Sequence, residues 1–180
     1  MTKPFKLTKA VLENSTATNW QSAVTEWQIV DQDEDDTMET ECVCGKEGLR
    51  YLFTIKNTTN QNVLYPIGSN CIKRFEVDEL TNEVNVKEQM FKLMHGIEDR
   101  KFITLTSEWF SRKLLTYLYE RGTFKPSPYN NFDPTVDYRF LMDMFNQRKE
   151  PTEKQQRKIT ALIMSNVFPD LKAELAKKKP

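Results

Sequence analysis

The sequence predicts an α+β protein in which a small ββα unit is followed by a helical region. Residues 49–67 hold two short segments of strand-like alternation, and a helix start follows them directly. From residue 81 onward, apolar residues recur instead at helical spacing. We therefore expect two units, residues 1–80 and residues 81–180.

The composition excludes several classes of protein. The 180 residues are 38% hydrophobic, which is enough to bury one good core, or a main core with a small satellite. The formal net charge is zero, so electrostatic recognition must come from local patches. No segment approaches the roughly 20 apolar residues that span a bilayer, and the N-terminus MTKPFKLTKA lacks the apolar region of a signal peptide. Three cysteines cannot all pair within one chain, so we expect a soluble, cytoplasmic protein without a disulfide framework.

The first unit is predicted to begin with a short strand in EWQIVD, around Trp27 and Ile29. The run DQDEDDTMETE at residues 31–41 follows, with seven acids and no base, and we expect it to form a loop. Its acidic residues are Asp31, Asp33, Glu34, Asp35, Asp36, Glu39 and Glu41.

Two further strands are predicted after the acidic run. LRYLFTIKN at residues 49–57 places apolar residues on one face at every second position, with Leu52 as the exception. VLYPI at residues 63–67 is the second strand. Pro66 favours an edge position for it, because proline donates no ladder hydrogen bond.

The three cysteines lie at the two ends of this segment. Cys42 and Cys44 form a C-x-C-G knuckle before the strands, and Cys71 follows them in GSNCIKRF, in the first turn of a helix that Ser69 or Asn70 can cap. A C-x-C pair cannot easily close a disulfide on itself, because the short ring is strained. The order of knuckle, two strands and helix start is that of a treble-clef-like zinc site. We therefore predict that the three thiolates bind zinc.

Three thiolates leave one ligand position of a tetrahedral zinc ion to be filled. His95, the only histidine, is predicted to fill it. An aspartate or glutamate of the acidic run, or a water molecule, are the alternatives. The competing interpretation of the three cysteines is that they are ordinary reduced residues of a core.

The second unit is predicted to be helical. In TSEWFSRKLLTYLYERG, Thr106 or Ser107 can cap the start of a helix. TVDYRFLMDMF predicts another helix. PTEKQQRKITALIMSNVFP opens with a capping box between Thr152 and Gln155, and this helix is expected to stop at Pro169. The terminal KKKP is expected to be a disordered basic tail.

The sequence points to a binding protein and not to an enzyme. It has no P-loop, no G-x-S-x-G and no H-E-x-x-H motif, and no paired carboxylates stand out from solvated surface. The acidic run could bind a large basic partner by standing in for phosphate charge, or it could simply be a solvated loop. In the alternative, the zinc unit is a zinc-ribbon-like binder of nucleic acid, with Tyr51 or Tyr65 stacking on bases. The basic residues available for this are Lys46, Arg50, Lys56, Lys73 and Arg74. The zero net charge and the adjoining acids favour a protein partner.

The segments EWQIVD, CVCG and LFTIKNTTNQNVLYPIGSNCIKRF resemble a family of phage and mobile-element proteins. The pattern of that family is E-W, C-x-C-G, I-x-N and G-S/N-x-C-I/V-x-x-F, and the resemblance implies zinc binding. It covers about a third of the chain. Members often have histidine directly after C-x-C-G, where this chain has Lys46, so the resemblance does not supply the fourth ligand.

The helical half, with FSRKLLTYLYERG, YNNFDP and TEKQQRKI, resembles accessory proteins of Gram-positive phages or prophages. In size and zinc motif, the chain is similar to type II-A anti-CRISPR metalloproteins, which inhibit Cas9. This resemblance implies that the protein binds Cas9 at its recognition lobe, blocks the loading of target DNA and works in the cytoplasm of a bacterial host.

Overall fold

The computed structural model describes residues 2–178 and has an α+β fold. The chain divides into two compact units, one that ends at Lys87 and one that begins at Glu88. This division lies inside one long helix, α4 (Asp78–Glu98). The helix begins in the first unit because Leu80 and Val84 are buried in that unit's core. The structural division therefore lies later in the chain than the expected boundary after residue 80.

The first unit opens with two helices that the sequence pattern did not predict, α1 (Lys3–Glu13) and α2 (Trp20–Ala23). Helix α1 has a proline in its first turn. Proline is tolerated there because the backbone N–H groups of a first turn have no hydrogen-bond acceptor within the helix. Only Leu7 and Val11 of this helix are buried. Two buried residues in eleven are a weak periodic signal, which explains why the pattern missed the helix.

Within residues 2–178, three antiparallel strands form a sheet in the order β1 (Trp27–Glu34), β2 (Tyr51–Asn57) and β3 (Val63–Ile67). The prediction of β3 as an edge strand is confirmed. Residues 31–34 of the expected acidic loop belong to β1, where Glu34 pairs with Tyr51 in the ladder. Backbone pairing with β2 extends the strand through these acids. β1 is an edge strand, where charged side chains are tolerated.

The core of the first unit combines buried residues of the sheet, of helices α1 and α2, of helix α3 (Ser69–Lys73) and of the start of α4. Phe53, Ile55 and Ile72 have no exposed surface. The predicted cap of α3 is wrong: Gly68 occupies the N-cap position, and no side chain caps the helix. Ser69 is already the first helical residue, so its hydroxyl cannot act from the preceding position.

Glu26 joins the segment that follows helix α1 to the end of strand β2. Its carboxylate accepts hydrogen bonds from the Thr16 hydroxyl at 2.6 Å, the Thr16 and Ala17 amides at 2.8 and 2.7 Å, and the Asn57 side-chain amide at 2.6 Å. The Thr16 hydroxyl and the Asn57 amide are the main reasons that the pKa of Glu26 falls to about 2.

The second unit is helical, as expected. After α4, its helices are α5 (Arg112–Glu120), α6 (Pro134–Asn146), α7 (Glu153–Leu162) and α8 (Phe168–Lys178), with a π-helical segment at Ile163–Val167. The predicted capping box of α7 is confirmed in both directions. No helix in the part of the chain that the structure describes is both long enough and apolar enough to cross a membrane.

Three local predictions in the second unit need correction. Helix α5 is capped by Ser111, whose hydroxyl accepts the Leu114 amide at 3.0 Å, and not by Thr106 or Ser107. The helical segment that begins with α7 does not stop at Pro169. The π-helical segment Ile163–Val167 widens the turn before the proline, and α8 contains the proline near its start. Lys177 and Lys178 of the expected tail belong to α8, and the last two residues lie outside the described residues.

Candidate metal centre

The knuckle of the first unit is a tight turn held against the end of strand β3. The Cys42 amide donates to the Lys46 carbonyl at 2.8 Å, and the Gly45 amide donates to the Cys42 carbonyl at 2.7 Å. The Val43 amide donates to the Pro66 carbonyl at 3.0 Å, which joins the turn to β3. Gly45 has a φ of +84°, a conformation that side chains disfavour. The glycine of the C-x-C-G motif is therefore required by the turn.

Cys71 reaches the knuckle from the first turn of α3. Strand β3 ends at Ile67, and the Cys71 amide donates to the Gly68 carbonyl at 3.1 Å as the helix begins. The Gly68 amide points the other way and donates to the Cys42 sulfur at 3.4 Å. A β-carbon on Gly68 would lie 2.9 Å from the Leu49 side chain, so Gly68 packs closely against that residue.

The three sulfur atoms form one buried cluster. The Sγ atoms of Cys42 and Cys71 are 3.7 Å apart, and all three Sγ atoms lie within 4.8 Å of one another. The cysteines are 3%, 3% and 6% exposed. Tetrahedral ligands about 2.3 Å from a zinc ion are about 3.8 Å from each other, whereas a disulfide joins sulfurs at about 2.05 Å. The cluster has the spacing and the donor chemistry of a site for a thiophilic metal ion.

The electrostatics of the cluster favour a cation. Hydrogen bonding by the Cys71 thiol lowers the pKa of Cys42 to about 5 against the effect of burial, and the backbone amides of Cys44 and Gly68 assist. Hydrogen bonding to Cys42 and burial raise the pKa of Cys71. These opposite shifts favour Cys42 over Cys71 as the thiolate of this pair. A metal ion that binds there displaces the remaining protons.

Among the described residues, the structure groups no carboxylate of the acidic run with the three sulfurs. In the described part of the first unit, no carboxylate joins the sulfur cluster within 4.8 Å. His95 lies on the part of α4 that belongs to the second unit, with its Nδ1 3.9 Å from Glu98 Oε2 and its side chain 23% exposed. Its role as the fourth ligand stays a prediction.

The structure divides the seven acids of residues 31–41 into two groups. Five of them are exposed: Asp31, Asp33, Asp36, Glu39 and Glu41. Glu34 is half-buried and accepts from Arg50 Nε at 2.9 Å, which raises the pKa of Arg50. Asp35 is also half-buried.

Asp35 organises the loop that follows β1. Its carboxylate accepts the Thr37 and Thr40 hydroxyls at 2.6 and 2.7 Å, and the amides of Thr37, Glu39 and Thr40 at 2.9 to 3.1 Å. The Thr37 and Thr40 hydroxyls hold the pKa of this carboxyl well below its usual range. The signal that could have revealed this role is an aspartate with threonines two and five residues later, which favours local turns.

The basic residues considered for nucleic acid are spread over the first unit. Arg50 directly precedes β2 and Lys56 lies near the other end of that strand, so the two are about 20 Å apart along an extended chain. The Arg50 guanidinium is bonded to Glu34 and lies 5.9 Å from the centre of the Tyr51 ring. Tyr65 is 52% exposed on β3. Lys46 and Arg74 are exposed and Lys73 is half-buried, on the knuckle and at the end of α3.

Comparison with known proteins found no matching family model, no matching curated protein and no matching solved structure.

Proposed function

We propose that this chain is a zinc-binding anti-CRISPR protein that inhibits Cas9 by direct binding and without catalysis. The observation that supports the proposal most is the buried cluster of three cysteine sulfurs. The resemblance of the sequence to phage zinc proteins and to type II-A anti-CRISPR metalloproteins supplies the partner. The first unit is proposed to be treble-clef-like, with its knuckle, hairpin and helix joined at the metal.

In this proposal zinc is structural. Bound zinc supplies a cross-link between the knuckle, which holds Cys42 and Cys44, and helix α3, which holds Cys71. A catalytic zinc keeps a ligand position open to substrate, whereas structural sites are closed. Cysteines that are at most 6% exposed fit a closed site. The zinc then keeps β1 and its acidic segment in one conformation, because the knuckle directly follows that segment.

The five exposed acids are the proposed contact surface for Cas9. They lie on β1 and in the loop after it, so one continuous segment carries five exposed negative charges. Cas9 holds its guide–target heteroduplex in a positively charged channel, which is complementary to such a segment. Asp35 and Glu34 are excluded from this surface, because their oxygens are already bonded within the first unit.

Metal analysis of the purified protein tests the zinc centre. We expect close to one zinc per chain in the wild type and a large loss in Cys71→Ser, because two sulfurs hold zinc far more weakly than three. His95→Ala should lower zinc affinity if the imidazole is the fourth ligand, and unchanged affinity would assign that position elsewhere. Wild-type protein prepared without chelator and free of any metal would refute the zinc centre.

A Cas9 cleavage assay with a binding measurement tests the partner. The triple variant Asp31→Asn, Asp33→Asn, Asp36→Asn should slow association about tenfold at low salt and weaken its salt dependence, while dissociation changes less. The matched control neutralises three exposed acids of the second unit, and should bind like the wild type. Its substitutions are Glu108→Gln, Glu120→Gln and Glu150→Gln.

The same experiment separates the two candidate partners. Pull-downs against Cas9 with and without guide RNA should show stoichiometric binding and loss of cleavage. A gel-shift titration with DNA and RNA is run in parallel. Tight nucleic-acid binding that falls steeply with salt, together with unchanged Cas9 cleavage, would reject the Cas9 proposal in favour of the nucleic-acid alternative.

A further inference from the structure

Two of the three sulfurs in the cluster are in direct contact although they come from different elements. Cys42 lies on the knuckle and Cys71 lies 29 residues later, on α3, and their Sγ atoms are 3.7 Å apart. All three cysteines are free thiols. Closing the gap to a disulfide bond length requires the two sulfurs to approach by about 1.7 Å.

The geometry also selects the partners. Cys42 and Cys44 are separated by one residue, and a ring of that size strains the torsion that a disulfide needs. All three sulfurs lie within 4.8 Å of one another, and the Sγ atoms of Cys42 and Cys71 are 3.7 Å apart. A disulfide within this cluster therefore includes Cys71, and Cys42 is assigned as its partner because the sulfurs of these two residues are in contact.

We propose that the cluster is a redox-sensitive site at which a hydroperoxide converts Cys42 and Cys71 into a disulfide. The Cys42 thiolate attacks one peroxide oxygen, so that an S–O bond forms, the O–O bond breaks and water leaves after protonation. The Cys71 sulfur then attacks the sulfenic acid, forming the S–S bond and releasing a second water. The two sulfurs lose two electrons, and hydrogen peroxide is reduced to two molecules of water.

The consequence for the proposed zinc centre is loss of the metal without loss of the fold. The disulfide consumes two of the three thiolates, so zinc must leave. It also joins the knuckle to α3, which are the same two elements that zinc joins. The release of zinc in this inference rests on the proposed function, whereas disulfide formation does not.

The test treats the full-length protein with hydrogen peroxide, once as purified and once after chelation. Free thiols are then alkylated and the peptides are mapped by mass spectrometry. We expect a Cys42–Cys71 peptide pair lighter by two hydrogen atoms, an alkylated Cys44, and full reversal by dithiothreitol. In the sample as purified, a chromogenic chelator should detect about one zinc released per disulfide formed.

Two variants sharpen the result. Cys44→Ser should still form the Cys42–Cys71 bridge, and Cys71→Ser should form no bridge within the chain. The oxidised, metal-free wild type should have a higher thermal midpoint than the reduced, metal-free wild type, because the bridge links the knuckle to α3.

The outcomes keep the two proposals apart. A disulfide that includes Cys44, covalent dimers, or sulfinic acids without a disulfide would overturn the redox site, whatever the zinc content. A reduced protein that contains no zinc would overturn the zinc centre, and the peptide map of the chelated sample would still decide whether the bridge forms.

Discussion

Removal of the metal should destabilise the first unit by an amount that depends on zinc concentration. A ligand that binds only the folded state stabilises it by about 2.7 kcal/mol when its free concentration is 100 times its Kd. The three sulfurs come from elements on either side of the hairpin, so the unfolded chain has no preformed site. Chelation of zinc at that concentration therefore removes about 2.7 kcal/mol from the free energy of unfolding.

Thermal unfolding measures this effect directly. For a unit that ends at Lys87, 1 kcal/mol corresponds to about 4–8 °C, so chelation should lower the midpoint by roughly 10–20 °C. Cys71→Ser should have a low midpoint and should lose nearly all of the zinc-dependent shift.

The control is a core variant that leaves all three sulfurs in place. Leu7 is 1% exposed on α1, and Leu7→Ala should cost about 3 kcal/mol through loss of packing. Its midpoint should be lower than that of the wild type at every zinc concentration, but the zinc-dependent shift should remain. The reasoning would be refuted if Cys71→Ser kept the full shift, or if chelation of zinc-containing wild type left the midpoint unchanged.

Three further predictions concern the rest of the chain. The pKa of Glu26 is about 2 in the folded state and near 4.5 in the unfolded state. The ionised carboxylate therefore stabilises the fold fully above about pH 4.5, and this stabilisation is lost as the pH falls toward 2. In Glu26→Gln, the urea midpoint should depend less on pH over that range. Arg121 bonds Asp170 and Glu174 at 3.0 and 2.8 Å with a side chain that is 18% exposed. Arg121→Met should therefore lower the free energy of unfolding, measured in urea, by about 2 kcal/mol. The control is Lys177→Met, because the Lys177 side chain is 75% exposed where it pairs with Glu174; it should change stability by less than about 0.5 kcal/mol. The buried Asn130 side chain makes three hydrogen bonds, so Asn130→Ala should cost about 3 kcal/mol, while Asn131→Gly should be tolerated because Asn131 has a φ of 55°. Equal midpoints for Asn130→Ala and wild type would contradict the last prediction.

Short-range sequence patterns, namely alternation, proline and capping residues, predicted strands β2 and β3 and the start of helix α7. The alternation of residues 49–57 and the proline at position 66 predicted β2 and the edge strand β3, and the capping box at Thr152 predicted the start of α7. Helix α1 was missed because only two of its side chains are buried. The length of β1 was also missed, since backbone pairing with β2 outweighs the weak strand preference of its acids.

The sequence by itself determined which atoms are available for a metal centre and in what order they occur along the chain. The C-x-C-G knuckle, the two strands and Cys71 at a helix start are all visible in the residues, and the structure puts them in that order. The acidity of residues 31–41 is equally visible.

Only the tertiary structure decided which of these groups meet. The hairpin of β2 and β3 and the bond from Val43 to Pro66 bring sulfurs that are 29 residues apart to 3.7 Å. The same folding separates two neighbouring acids: Asp35 is occupied by threonine hydroxyls, whereas Asp36 is exposed. The physical reason is that a side chain's charge and donors are properties of its residue type, whereas its partners depend on distances that the backbone sets when distant segments pair.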